Sequence, residues 1–288
     1  MLEACLSFAF LFQVFRIAMP YVLAAMGGIY SERSGVVNIA LEGKLLAGAF
    51  CAALGGILFE NAMLGILFGV LGGVFVALVF GVAAVYFRSD QIVTGIAVNL
   101  MVAGLTRFFL KQQFGSTANS PPTPGFEEAI VFNPIFWIAL MIVCLSYVII
   151  NKTVYGVRLR AAGEEPEALR SVGVDVQKLQ LKSVLIAGAL AGLGGAFLTI
   201  DNQAFVAEMS GGRGYIALAA VIMGRWRPLW AGAACLVFAV AEAMQFHMQT
   251  YDVGIPGEFV QTLPYVLTIL LLAGVVGKSN APKSLGKT

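Results

Sequence analysis

Charged residues cluster along this chain, and the long apolar stretches between the clusters set its architecture. Uncharged runs occupy positions 17–31, 45–59, 61–87, 91–106, 129–151, 183–200, 228–241 and 259–277. A helix needs about 20 mostly apolar residues to cross a bilayer core of roughly 30 Å. Only some runs reach that length, so the other helices must accept a charge near an end, tilt or break. The pattern predicts an all-α, polytopic transmembrane helix bundle of about eight spans, one domain over residues 1–288. The run Gly214–Gly224 is too short to cross unaided and reads as half of a discontinuous helix. No cleavable signal is expected, because the start lacks a basic cluster and Met1–Phe15 leads straight into further apolar sequence.

Composition agrees with this pattern. Of 288 residues, 59% are hydrophobic and 12% charged, whereas soluble chains carry about 25% charged residues. That shortage argues against a soluble enzyme, a disordered chain or a disulfide scaffold. Glycine is abundant, at 33 residues, and two sets have helical spacing: Gly65, Gly69 and Gly73, and Gly188 and Gly192. Small residues four apart form a face on which helices approach closely. The cysteines, Cys5, Cys51, Cys144 and Cys235, sit in separate apolar runs and read as small core- or lipid-facing residues.

Charge placement predicts an orientation. Six of the eighteen basic residues lie in the loop 152–182, and the tail adds Lys278, Lys283 and Lys287. Both segments are expected to be cytoplasmic. Counting spans outward adds Arg33, Lys44, Arg88, Arg225 and Arg227 to that face and leaves Arg16, Arg107, Lys111 and Arg213 elsewhere. The other face receives Glu60, Glu127, Glu128, Asp201, Glu208, Asp252 and Glu258, with the turn-rich stretch 114–126. The N-terminus is then external and the C-terminus internal. Ends on opposite faces require an odd number of crossings, so Gly214–Gly224, helped by its flanks, would complete one more.

Two polar segments stand out. In Ser31–Gly43, Asn38 and Glu42 follow Glu32 and Arg33 at i, i+4 spacing. As a helix this puts an amide and a carboxylate on one face where the chain re-enters apolar sequence. Polar groups at depth are costly unless they face protein or water, so one reading is a solute path or its gate. The other has Glu42 paired with Lys44 or Arg33 at the interface, and Asn38 capping a broken helix. In the charged loop, Glu165-Pro166-Glu167 is a helix start and Gly173 a stop. A short helix with Ala168, Leu169 and Val172 as an apolar strip suits docking on a partner, or a solvated connector.

Ser31–Gly43, together with Arg160–Arg170 and Gly212–Trp226, resembles the permease subunit of a bacterial ABC importer. The likeness extends from about Pro20 to Gly277. Within the superfamily of ribose-type and branched-chain amino-acid permeases, it looks closest to the nucleoside and simple-sugar branch. Lys44 departs from the apolar residue expected there. The resemblance implies a multi-pass protein of the bacterial inner membrane that pairs with a second permease subunit, identical or homologous. It further implies two cytoplasmic ATPase subunits carrying ATP and Mg, an extracytoplasmic solute-binding protein, and neither a cofactor in this chain nor a nucleic-acid partner. Gly163, Glu164, Glu165, Pro166, Glu167, Leu169 and Arg170 match the family's coupling-helix position and would contact the ATPase. Asn38, Glu42, Gln91, Asn99 and Glu242 are the polar groups this chain could offer a solute path. A small neutral solute is implied, nucleosides first, with riboflavin or a simple sugar as alternatives.

The remaining signals are bland. His247, the single histidine, reads as interfacial, and Trp137, Trp226 and Trp230 as belt or packing residues. Gly277-Lys278-Ser279 resembles the end of a phosphate-binding loop, but Leu272 stands where that motif needs glycine. Gly224–Pro228 reads as a tight cytoplasmic turn. An ATP-independent channel or secondary transporter would want ion-coupling carboxylates inside several spans, where only Glu42 and Glu242 are candidates. An intramembrane enzyme would need a convergent catalytic set that this sequence lacks.

Overall fold

In a computed structural model, the chain is described over residues 8–126, 134–250 and 281–287, with 262, 266 and 269 as isolated helical positions. Ten α-helices are present among these residues. They are α1 (Phe8–Arg33), α2 (Leu41–Phe59), α3 (Ala62–Gly81), α4 (Gln91–Phe114), α5 (Pro134–Lys152), α6 (Val154–Glu164), α7 (Pro166–Ser171), α8 (Val176–Asn202), α9 (Arg213–Met223) and α10 (Pro228–Thr250). A π-helical turn, Val82–Tyr86, extends α3. Seven helices, α1 to α5, α8 and α10, are long and apolar enough to cross a membrane. They coincide with the first seven uncharged runs. The eighth run, 259–277, lies outside the described residues except for positions 262, 266 and 269, and Cys5, Glu127, Glu128, Asp252, Glu258 and the 277–279 motif lie outside them altogether.

Local chemistry accounts for the boundaries. Asn61, Asp90, Thr153 and Asp175 cap α3, α4, α6 and α8, each accepting a hydrogen bond from a backbone N–H of the first turn. Pro166 opens α7, and Gly173 follows it at φ +78°, so the sequence signals for start and stop both hold. The loop contains two short helices, α6 and α7, where one was expected. α8 is the central element: 78% of its apolar window is buried, against 22% for α5, and it packs on α1, α2 and α3. Its Gly188 and Gly192 meet Gly69 and Gly73 of α3 so closely that a Cβ at Gly73 would overlap the Gly188 carbonyl.

The short helix α9 belongs to a longer path. At one level, Arg16 of α1 pairs with Asp201 near the end of α8 (2.6 Å). At another, Glu32 of α1 accepts the Trp226 indole N–H (2.6 Å), and Arg33 bonds the Trp226 carbonyl. Sixteen residues of helix separate these levels, about 24 Å. The segment from Gln203 through α9 to Trp226 covers that distance, part as irregular chain and part as helix. Trp226 is buried at the turn, and Arg225 and Trp226 take positive φ. Three of the four basic residues left off the face expected to be cytoplasmic are each paired with a carboxylate: Arg16 with Asp201, Arg107 with Glu208 and Arg213 with Glu242.

Candidate functional site

The polar residues of the sequence converge on two broken elements, the 34–40 interruption between α1 and α2 and the start of α9. Residues 34–40 are not helical: Gly35 turns at φ +95°, and α2 begins only at Leu41. The expectation that Asn38 and Glu42 share a helical face is therefore corrected. Asn38 lies in the break and Glu42 in the first turn of α2. Glu42 pairs with neither Lys44 nor Arg33. Its two oxygens accept the backbone N–H groups of Gly212 (2.8 Å) and Gly214 (2.7 Å), so it closes the positive end of α9, a helix terminus that favours a carboxylate. A Cβ at Gly214 would overlap the Glu42 backbone, which explains the glycine.

Gln91 and Asn99, both on α4, hold the same break. Gln91 Oε1 accepts the Val37 N–H (2.7 Å). Asn99 Oδ1 accepts the Gly43 N–H (2.8 Å), and its Nδ2 donates to the Ile39 carbonyl and the Tyr215 hydroxyl (3.0 Å each). On the other side of α9, Arg213 donates to Glu242 of α10 (3.0 Å) and to the Met209 carbonyl (2.9 Å), while the Tyr21 hydroxyl donates to the second Glu242 oxygen. Lys44 is fully buried, donates to Asn38 Oδ1 and lies 4.5 Å from the centroid of the Phe80 ring. Two donors in this region, Asn38 Nδ2 and Arg213 Nε, are buried without a hydrogen-bond partner.

All five sequence-predicted path residues thus fall around the two breaks. Sequence reasoning missed Arg213, Tyr21 and Tyr215 as their partners. Arg213 had one available signal, since it was a basic residue with no place on the face expected to be cytoplasmic. Glu42, Lys44, Arg213 and Glu242 carry formal charges that cancel. Among the described residues, no three His, Cys, Asp or Glu side chains converge as a metal site requires.

The charged loop forms a second region. Glu164, Glu165, Glu167 and Arg170 are exposed, and Arg170 pairs with Glu167 (3.1 Å). Leu169 does not join Ala168 and Val172 in an outward strip. It is buried against Ala162, Val176 and Leu179, because a six-residue helix must bury one apolar residue to stay docked, whereas Val172 is 71% exposed. Asp175 accepts the Lys178 N–H and its ammonium, which hold its carboxyl below the usual carboxylate range. A cavity of about 510 Å³ runs from Glu164–Glu167 and Arg170 past Arg88 to Val36 and Gln91 at the break. Gly163 packs against the Arg33 carbonyl with no room for a Cβ. The tail crosses here: Ser284 donates from its N–H and hydroxyl to the Gly163 carbonyl, and the Gly286 N–H reaches the Gly35 carbonyl.

Comparison with known proteins adds a family. Residues 10–272 match the family described as branched-chain amino acid transport system / permease component. The guanosine ABC transporter permease protein NupQ of Bacillus subtilis is 33% identical over 93% of this chain and 92% of its own. The nucleoside ABC transporter permease protein NupC of Lactococcus lactis subsp. cremoris has the same identity and coverage. A putative glucose ABC transporter permease, TsgC13 of Haloferax volcanii, is 28% identical over 92% of this chain and 90% of its own.

Proposed function

The chain belongs to the branched-chain amino acid transport system permease component family, and from that premise we propose that it is the membrane half of an ABC importer for nucleosides. The observation that carries the solute class is the end-to-end similarity to two permeases named for guanosine and nucleosides, at higher identity than the putative glucose permease. The site chemistry supports it. A cluster with cancelling charges and free donors suits a neutral solute rich in acceptors, because hydrogen-bonding pockets select without attracting ions. Asn38 Nδ2 and Arg213 Nε would donate to base or ribose oxygens and so recover the roughly 1–3 kcal/mol that an unpaired buried donor costs.

The mechanism follows the contacts. A cytoplasmic ATPase pair docks on α7 through Glu164, Glu165, Glu167, Arg170 and Val172, with the loop 152–182 and the C-terminus on the cytoplasmic side and the N-terminus outside. Leu169 serves inward, tying α7 to α8. Movement of α7 passes through Gly163 to Arg33, and from there to the 34–40 break. The break is latched to α9 by Glu42, so displacing it would release or engage the half-helix. A second permease subunit would complete the pathway, and a solute-binding protein would deliver from outside.

The test is uptake of labelled guanosine by cells expressing the chain with its ATPase and binding protein. Saturable uptake that excess unlabelled nucleosides abolish is expected, with ribose and riboflavin ineffective. Competition by ribose or riboflavin alone would reassign the solute, and uptake persisting with the ATPase disabled would overturn the importer reading.

A further inference from the structure

An apolar crevice of about 510 Å³ opens between α1, α5 and α8, walled by Tyr30, Ile142, Ser146, Ile149, Ile186 and Leu190. Two hydroxyls on its wall are bonded within the protein, Thr153 with the Ile149 carbonyl and Tyr155 with Ser183, and the rest of the lining is almost wholly apolar. A polar solute would find nothing to bind there, whereas hydrocarbon would. The crevice follows α5 from Ile142 to its end at Lys152, about 15 Å of helix, which is one leaflet of a bilayer core of roughly 30 Å. α5 is the least buried of the seven crossing helices, so the crevice lies at the rim of the bundle.

At its charged end the crevice shares Tyr155 with a second recess of about 350 Å³, lined by Arg158, Asp175, Lys178 and Lys182. Asp175 is engaged by Lys178 (3.0 Å). Arg158 and Lys182 form no ion pair among the described residues. Along α8, Lys178, Lys182, Ile186 and Leu190 follow one another at four-residue spacing. One helical stripe therefore passes from two cations at the loop to two apolar residues within the span, which is the polarity of a phospholipid read from headgroup to tail. Basic recesses between helices at a membrane surface are where anionic headgroups bind.

We infer that the two recesses form one site for an anionic phospholipid, with Arg158 and Lys182 on the phosphate and an acyl chain in the crevice beside Leu190. A zwitterionic lipid carries its own cation beside the phosphate and so offers the two cations no net charge, and a free phosphate would have no use for the crevice. The site requires only that the loop 152–182 lie at a membrane surface, so it stands or falls apart from the solute and the ATPase.

The test uses the full-length chain in detergent, offered dioleoylphosphatidylglycerol or dioleoylphosphatidylcholine, with retained lipid read by native mass spectrometry. Wild type should retain the anionic lipid at least about tenfold better, as two surface cations imply. Arg158→Ala with Lys182→Ala, both exposed positions, should bring the two lipids level, and Leu190→Trp should reduce retention of both while circular dichroism confirms an intact fold. Equal retention by wild type, or an unchanged preference in the double variant, would overturn the site. So would undiminished retention by Leu190→Trp, displacement of the lipid by glycerol phosphate, which would mark a free-anion site, or disulfide cross-linking of two copies through Ser146→Cys, which would mean a second subunit covers the crevice.

Discussion

Lys44 is fully buried with an amide, not a carboxylate, as its hydrogen-bonding partner. An isolated buried charge is costly unless paired, so Asn38→Asp should give Lys44 a counter-ion and raise the melting temperature of the purified protein. The same change removes the free Nδ2 donor, and the KM for guanosine uptake should rise about tenfold, the equivalent of one hydrogen bond. An unchanged KM would take Asn38 out of the solute path. Glu42→Gln acts differently, because it replaces an acceptor oxygen with a donor facing an N–H group of Gly212 or Gly214. Hydrogen bonds to charged groups contribute roughly 1.5–3 kcal/mol each, so uptake should fall at least about tenfold while the variant still reaches the membrane in an immunoblot. Asn99→Leu, which removes the three hydrogen bonds that tie α4 to Ile39 of the break, to Gly43 of α2 and to Tyr215 of α9, should also impair uptake. The sequence marked these residues as polar groups in apolar surroundings, and of its two readings of Glu42 the one that paired it with Lys44 or Arg33 does not hold. The pairing it missed joins positions about 170 residues apart, and no local spacing encodes that.

At the scale of elements, the glycine stripes illustrate a pattern legible in advance. Four-residue spacing predicted a face for close approach, and Gly69 and Gly73 of α3 do meet Gly188 and Gly192 of α8. Which stripe meets which is a tertiary matter. Gly73→Leu should force α3 and α8 apart, and little folded protein should be recovered by size-exclusion chromatography, whereas Gly104→Leu, at a position open on all sides, should behave as wild type. α7 was readable from its proline start and glycine stop, yet the direction of Leu169 was not, because Ala162, Val176 and Leu179 come from its neighbours. The tail was read only as a basic anchor. Its Ser284 and Gly286 link α6 to the break, so truncation after residue 280 should lower coupled uptake more than it lowers membrane expression, as measured by uptake per unit of protein.

For the whole molecule, the ATPase is expected to grip the exposed side of α7. Arg170→Glu with Val172→Glu should abolish copurification of the ATPase subunit without lowering the melting temperature, since both side chains are exposed. Leu169→Ala should instead destabilise the loop itself, by about 2–3 kcal/mol for a buried leucine. Normal ATPase recovery in the first variant would move the docking surface elsewhere. By itself the sequence determined the class of molecule, the positions of seven crossing helices, the short half-helix and the start and stop of α7, because hydropathy, capping and glycine spacing act over a few neighbouring residues, whereas the expected loop 152–182 ran past Val176, where α8 begins. Only the tertiary structure decided that Glu42 holds the α9 amides, that Arg213 answers Glu242, that Leu169 faces inward and that the tail crosses the break. These contacts join segments remote in sequence, and the requirement that buried polar groups be satisfied says that partners must exist without saying which they are.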